Sequence, residues 1–268
     1  MSKKLSIITV NLNNSTGLLK TIKSVVSQTF SDYEYIIIDG GSTDGSVDII
    51  KQYADKITYW VSEPDKGIYN AMNKGILQAK GEYCLFLNSG DYLYSKDVLY
   101  NVFIVNYCKE DIITGNSFPI YPNQPTKLSK GRAYDRKQKG ESLTLYDMYK
   151  GTINHCSSFI KRKLFDKYGL YDENYKIVSD WIFFLKVIGL YGIQVEYADV
   201  IISCFDKTGI SSCNRKLLEI EREKALESCI PHSILADYSY FDKLESKFKR
   251  SFRYRFVNKL TQLINRFS

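Results

Sequence analysis

Leu5-Ser6-Ile7-Ile8-Thr9-Val10 is a short, β-branched run of the kind that fills a buried strand. It stops at Asn11-Leu12-Asn13-Asn14. From there Leu18, Leu19, Ile22, Val25 and Val26 recur at helical spacing, with Ser15 or Thr16 placed to cap the helix. Tyr35-Ile36-Ile37-Ile38 predicts a second strand, which ends in Asp39-Gly40-Gly41-Ser42-Thr43-Asp44-Gly45-Ser46. Val47 to Tyr53 reads as a helix and Ile57 to Val61 as a third strand. The loop Ser62-Glu63-Pro64-Asp65-Lys66-Gly67 comes next, then a helix from Ile68 to Lys80 with Ile68, Met72, Ile76 and Leu77 on its apolar side. Tyr83-Cys84-Leu85-Phe86-Leu87 closes the series, five apolar or aromatic residues that stop at Asn88-Ser89-Gly90-Asp91.

Alternation of strand and helix over about ninety residues predicts a parallel sheet with helices on both faces. Right-handed crossovers would bring Thr9, Asn11, Asp39, Asp65 and Asp91 to one edge of it, where α/β proteins bind ligands. Taken alone, Ser89-Gly90-Asp91 reads equally as an ordinary turn after a core strand. Beyond it the pattern predicts a helix over Val98–Tyr107 and a strand over Asp111–Thr114. Tyr121–Gly140, with its Pro, Lys and Gly, reads as a mobile excursion or β-ribbon. Order returns at Ile153–Ile160, followed by helices over Lys161–Tyr168 and Ile177–Tyr191, one or two strands over Val195–Phe205, and a helix over Leu217–Cys229.

The 268 residues, 44% hydrophobic and 25% charged, suit one folded domain with an appendage; the expected division is 1–228 and 229–268. No apolar run reaches membrane-spanning length, and Met1-Ser2-Lys3-Lys4 leads into the first strand without a signal-peptide core. Six scattered cysteines, none in a CxxC pair, fit reduced thiols in a cytoplasmic protein. The net charge of +7 is concentrated: from Lys243 onward eight basic residues face one acid, Glu245. Leu244, Phe248, Phe252, Phe256, Leu260 and Ile264 follow an i+4 spacing among those bases. Such a stretch fits an amphipathic helix on an anionic membrane surface; docking on the catalytic domain is the alternative. No RNA-binding motif accompanies the charge.

Two strand-end loops pair an Asp with small residues: Asp39-Gly40-Gly41-Ser42 and Asn88-Ser89-Gly90-Asp91. Glycine lets a ring or phosphate approach the backbone, and a neighbouring carboxylate can accept ribose or base hydrogen bonds. A carboxylate beside a diphosphate makes sense chiefly with a divalent cation between them. GxGxxG after the first strand and GxxxxGK[ST] are both absent, which argues against dinucleotide and P-loop sites.

Taken in order, Ser6–Asn11, Ile38–Gly45, Ser62–Ile76 and Phe86–Asp91 resemble the signatures of family 2 glycosyltransferases with a GT-A fold. Asn154-His155, the stretch Tyr171–Trp181 and Gly209-Ile210-Ser211 are similar to the branch of colanic-acid fucosyltransferase-like exopolysaccharide and capsule enzymes. The likeness spans roughly residues 5 to 228. It implies a Rossmann-like mixed α/β sheet and an inverting, hexosyltransferase-type reaction. A sugar would move from a UDP- or GDP-sugar to a glycan or lipid-linked acceptor. It further implies Asp180 as the base that deprotonates the acceptor hydroxyl; capping its helix is the alternative reading of that residue.

By the same resemblance Thr9, Asn11, Asp39 and Gly41 line the nucleoside pocket. Asp65, Lys66 and Asn73 approach the ribose or phosphates, and His155 lies near the diphosphate or acceptor. Lys66 also reads as a solvated lysine, and His155 as a satisfied structural histidine. Many relatives carry Asp-x-Asp-Asp where this chain has Asn88-Ser89-Gly90-Asp91; Asp91 alone is left to hold Mn²⁺ or Mg²⁺, and a weaker metal requirement is the equal alternative. Rival classes are a sugar-nucleotide nucleotidyltransferase, whose Gly-rich basic N-terminal loop is missing here, and a non-catalytic sugar-nucleotide-binding protein.

Overall fold

The first half of the chain is a regular alternation in the computed structural model, which describes residues 3–121, 126–209 and 213–250. Strands β1 (Leu5–Asn11), β2 (Tyr33–Asp39), β3 (Tyr59–Ser62) and β4 (Tyr83–Phe86) are joined by helices α1 (Ser15–Val26), α2 (Ser46–Gln52) and α3 (Ile68–Gln78). All four strands run parallel. The register pairs Asn11 with Asp39 and Asp39 with Ser62, so three polar side chains end neighbouring strands in one row.

The sheet continues with β5 (Tyr92–Leu93), β6 (Ile112–Ile120), β7 (Ser158–Lys161) and β8 (Val195–Asp206), in the order β3-β2-β1-β4-β7-β6-β8-β5. β7 is antiparallel to β4 and β6, and β5 is antiparallel to β8, which makes the sheet mixed. The β5–β8 pairing, Tyr92 with Cys204, brings the end of β8 beside the Asn88–Asp91 loop although 115 residues separate Asp91 from Asp206.

One face of the sheet is sealed by Leu18, Ile22 and Val25 of α1 with Ile50 of α2, packed on Leu5, Ile7, Tyr35 and Ile37. Each such fully buried side chain contributes roughly 1.5–3 kcal/mol of transfer free energy. On the other side Phe86 meets His155, Phe165 and Tyr171, and Phe165 stacks on Phe183. Four of the six thiols, Cys84, Cys108, Cys156 and Cys204, are buried and free.

The structure corrects four sequence expectations. The cap of α1 is Asn14, whose side chain accepts the Gly17 N–H, in place of Ser15 or Thr16. Within the expected excursion 121–140 lies a helix, α5 (Gly131–Gln138); its polar composition hid it, but Tyr134 packs on Tyr197 and Lys137 donates to the Tyr197 carbonyl. The expected helix Val98–Tyr107 is α4 (Val98–Tyr100) continued by a wider π-type turn, Asn101–Val105. The expected helix Ile177–Tyr191 starts at Ser179, as α8 (Ser179–Phe184), and likewise opens into a π-type turn, Leu185–Leu190. Ile177 precedes it, with its N–H donated to the Glu221 carboxylate.

Two further helices, α6 (Leu145–Lys150) and α7 (Lys163–Tyr168), flank this region. The chain divides into compact units of residues 1–221 and 222–268. The last described helices are α9 (Arg215–Cys229) and α10 (His232–Arg250). On α10 Tyr240, Phe241, Leu244 and Phe248 are exposed; the remainder of the basic tail, from 251, and Ile210-Ser211 lie outside the described residues. Among the described residues no helix is long and apolar enough to cross a membrane.

Candidate active site

Asp39 is the hub of one end of the sheet edge. It is fully buried, yet its carboxylate accepts from Ser42 N (2.9 Å), Ser42 Oγ (2.6 Å), Ser62 Oγ (2.6 Å) and Asn11 Nδ2 (2.7 Å). Burial alone would push its carboxyl up. The hydrogen bonds from Ser42, Ser62 and Asn11 outweigh that and hold it below its ordinary value, so Asp39 is ionised. Asn13 joins this end too, its N–H on Ser42 Oγ and its side chain on Thr43 N. Thr9 lies one layer deeper, fully buried, its hydroxyl shared with Tyr35 at 3.1 Å; its side chain supports the floor of this end and does not open onto it.

Asp65 reaches the same place from the next loop. Its Oδ1 accepts the Gly67 N–H at 2.8 Å, and its Oδ2 would stand 2.6 Å from a Cβ added to Gly40. Gly41, at φ +81°, lies against Pro64. A side chain at position 40 would displace the Asp65 carboxylate, so glycine there lets the two loops approach with Asp65 in place. Lys66 is exposed and makes no ion pair among the described residues; it is the one cation the sequence placed at this end.

The Asn88–Asp91 loop is tied down from α1. Asn14 Nδ2 donates to the Ser89 carbonyl, Thr21 Oγ1 to the Asp91 carbonyl at 2.6 Å, and the Gly90 N–H donates to Thr21 Oγ1. Gly90 needs its positive φ of 106° for this tight reversal. Asp91 is buried, with Oδ1 accepting the Asp206 N–H at 2.9 Å. The Asp206 carboxylate is beside it, 3.5 Å from where a Gly90 Cβ would be. Burial pushes the Asp91 carboxyl up to about 7; the Asp206 N–H offsets part of this, and the Asp206 charge adds to it.

Whether these residues suit a divalent cation depends on that pair. Among the described residues no group of three or more His, Cys, Asp or Glu side chains is placed to hold a metal ion. Two carboxylates that repel each other nevertheless fit a cation such as Mg²⁺, which takes few protein ligands and keeps several non-protein ones. The buried Asn88 Oδ1, which has no hydrogen-bond partner among the described residues, adds a neutral oxygen in the same loop.

At the start of α8, Asp180 Oδ1 accepts the Tyr69 hydroxyl at 2.7 Å, and the same hydroxyl lies 2.6 Å from the Ile177 carbonyl. Oδ2 has no hydrogen bond among the described residues. His155 stacks on Phe86 at 4.7 Å and bonds Tyr171 OH at 2.8 Å. Burial pushes its imidazole below the ordinary range, and Asp180 offsets this only in part, so His155 is neutral. The charge of Asp180 acts on His155 and that of Asp91 on the adjacent Cys156, which brackets this turn with the two carboxylates.

Asn73 bonds within the protein. Its amide donates to the Tyr171 carbonyl and Glu173 and accepts the Tyr171 N–H, which uses its capacity within the protein. It clamps α3 to the segment that leads into α8. Sequence reasoning missed Ser62, Tyr69 and Asp206. Ser62 and Asp206 each end a strand, as Asp39 does, so the strand-end rule applied to every strand would have found both.

The edge therefore gathers one set of polar side chains around Asp39, a second around Asp91 and Asp206, and a third around Asp180. This sheet and its helices are those of the GT-A glycosyltransferases. S. aureus TarS 1-349 in complex with UDP-GlcNAc superposes with a TM-score of 0.64 at 17% identity, covering 86% of this chain and 68% of that one. Its UDP complex gives 0.61 at 19%, and there this chain covers 60% of the solved chain's length. The mannosyltransferase PcManGT of Pyrobaculum calidifontis, in complex with GDP-Man and Mn²⁺, gives 0.59 at 12%, covering 97% and 84%.

The sequence narrows this to a family. The family model for glycosyl transferase family 2 matches residues 6–169, and the chain belongs to that family. It is 30% identical over 209 residues to the PGL/p-HBAD biosynthesis glycosyltransferase of Mycobacterium bovis (strain BCG / Pasteur 1173P2), covering 76% of this chain and 77% of the relative. It is 31% identical over 214 residues to the uncharacterized glycosyltransferase MT1564 of Mycobacterium tuberculosis (strain CDC 1551 / Oshkosh), covering 77% and 76%.

Proposed function

We propose that the protein transfers a sugar with inversion from a UDP- or GDP-sugar to the hydroxyl of a glycan or lipid-linked acceptor, with Asp180 as the general base. The observation that carries this reading is the half-engaged Asp180 carboxylate: Oδ1 is held by Tyr69, while Oδ2 is available to take a proton. Asp39, Asn11 and the Gly40–Gly41 backbone hold the nucleoside, supported from beneath by Thr9, and Asp65 and Lys66 lie toward the ribose and phosphates.

In the reaction the acceptor O–H proton passes to Asp180 Oδ2. The freed oxygen forms its bond to the anomeric carbon from the face opposite the diphosphate. The bond from that carbon to the diphosphate oxygen breaks, and the electron pair leaves with the nucleoside diphosphate. Asp91 and Asp206 are the residues that would hold Mn²⁺ or Mg²⁺, whose chemistry when bound is to neutralise the departing diphosphate. His155, neutral and fixed by Phe86 and Tyr171, borders the reacting centre as a hydrogen-bonding wall.

Asp180→Asn should lower kcat by about 10²–10⁴-fold, the span general-base removal covers, and leave nucleoside-diphosphate binding unchanged. Wild-type turnover in that variant would refute the assignment. The finer likeness, to colanic-acid fucosyltransferase-like enzymes, supports a place in capsule, O-antigen or exopolysaccharide synthesis. The tail 243–268 supports a peripheral position on the inner face of the cell membrane. Tyr240, Phe241, Leu244 and Phe248 continue its apolar character into the described helix α10. Truncation after Asp242 should reduce sedimentation with anionic liposomes; unaltered sedimentation would remove the membrane assignment.

A further inference from the structure

Ile177, three residues before Asp180, has both of its backbone polar groups engaged by side chains from distant elements. Its N–H donates to Glu221 Oε2 at 2.9 Å, and the preceding Lys176 N–H donates to Glu221 Oε1 at 2.8 Å. Its carbonyl and Asp180 Oδ1 lie 2.6 and 2.7 Å from the Tyr69 hydroxyl, which shares its one proton between them. Glu221 is 8% exposed and Tyr69 5% exposed. Among the described residues Glu221 has no cationic partner, so the two backbone amides are what its carboxylate binds. Hydrogen bonds to a charged acceptor are roughly twice as strong as neutral ones. A buried carboxylate spent on two loop amides therefore fixes that loop more firmly than neutral contacts would.

We propose that Glu221 and Tyr69 are positioning residues for Asp180: Glu221 holds the Lys176 and Ile177 N–H groups, Tyr69 holds the Ile177 carbonyl, and together they set where the Asp180 carboxylate stands. The inference rests on Asp180 being the base. Glu221 touches neither Asp39 nor Asp91, so its loss should spare nucleotide binding. Tyr69 has a second effect: it occupies Oδ1, and so leaves Oδ2 as the proton acceptor.

The test measures Glu221→Gln, Tyr69→Phe, their combination and Asp180→Asn on the full chain. Turnover is read as UDP or GDP release from a panel of UDP- and GDP-sugars, and UDP and GDP binding is read with Mn²⁺. A displacement of about 1 Å costs up to 10²-fold in rate, so each positioning variant should lose about 10- to 100-fold in kcat with donor KM within about twofold. The double variant should fall short of the product of the single losses, because both act through one turn. Amide exchange at Lys176 and Ile177 should accelerate in Glu221→Gln while that of β1 and β2 stays slow.

Full turnover in Glu221→Gln, or equal losses in kcat and nucleotide affinity, would overturn the inference. If Asp180→Asn were inactive beside a fully active Glu221→Gln, the base assignment would stand and the positioning role would fall. An active Asp180→Asn would remove both. Should Glu221→Gln not fold, Tyr69→Phe, which deletes one oxygen from a different helix, decides by the same kcat and KM split.

Discussion

Asp39 and Asp91 end neighbouring parts of one sheet, and their surroundings push them in opposite directions. Asp39 is surrounded by donors, four hydrogen bonds from Asn11, Ser42 and Ser62, and its charge is stabilised below the ordinary carboxylate value. Asp91 has one backbone N–H and a second carboxylate beside it, and burial pushes it up to about 7. A preorganised acceptor is what a nucleoside's hydroxyl or N–H needs, because no reorganisation is left to be done on binding. A frustrated carboxylate pair is relieved by a cation. The difference supports the proposal that the nucleoside binds at the first end and the metal–diphosphate at the second.

The largest effect should come from Asp39→Ala. It strands the half-buried Ser42 and Ser62 hydroxyls and the buried Asn11 amide, at about 1–1.5 kcal/mol per group with the hydroxyls partly reached by water, for a total of roughly 3–5 kcal/mol. Urea denaturation measures this, and a loss below about 1 kcal/mol would show that the donors re-pair without Asp39. The sign with pH follows from its lowered value. Asp39 contributes stability above the ordinary carboxylate range, and the contribution is lost as pH falls through its depressed value. The wild type should thus lose more stability than Asp39→Ala on acidification below about pH 4.

Gly40→Ala comes next. Its Cβ would meet Asp65 Oδ2 at 2.6 Å and push that carboxylate off the loop. About tenfold weaker UDP or GDP binding, with a folding loss near 1 kcal/mol, is expected by calorimetry and thermal melting. Unchanged affinity would take Asp65 out of the nucleoside end.

Asp91→Asn should act in the other direction on stability. A carboxyl raised to about 7 keeps its proton in the native state, so the wild type loses stability as pH rises from about 4 through 7. The neutral amide of the variant removes that slope, and its Tm advantage should grow by roughly 5–10 °C between pH 5 and 8. A pH-independent difference would mean that Asp91 is ionised throughout.

The first four strands were legible because a sheet covered on both faces writes continuous apolar runs into the sequence, as in Tyr35–Ile38 and Tyr83–Leu87. Asp39, Asp91 and Asp180 stood out by their place at strand or helix ends. What stayed hidden depends on long-range pairing. Asp206 meets Asp91 only because β5 turns back onto β8, and no spacing announces a contact across 115 residues. Glu221 bonds backbone amides, which leave no side-chain pattern to read. Helix α5 is held by Tyr134 and Lys137 against β8, so its own sequence carries too few apolar positions to show a period. The bonds of Asn73 to Tyr171 and Glu173 were equally hidden, because they join residues about 100 positions apart.

The most direct test is titration of UDP and GDP, with and without Mn²⁺, into the wild type, Asp39→Asn and Asp91→Asn. If the two ends divide the labour, Asp39→Asn weakens nucleotide binding by a similar factor in either condition, whereas Asp91→Asn removes only the increment that Mn²⁺ adds. Equal losses in both variants, whether or not the metal is present, would contradict the division.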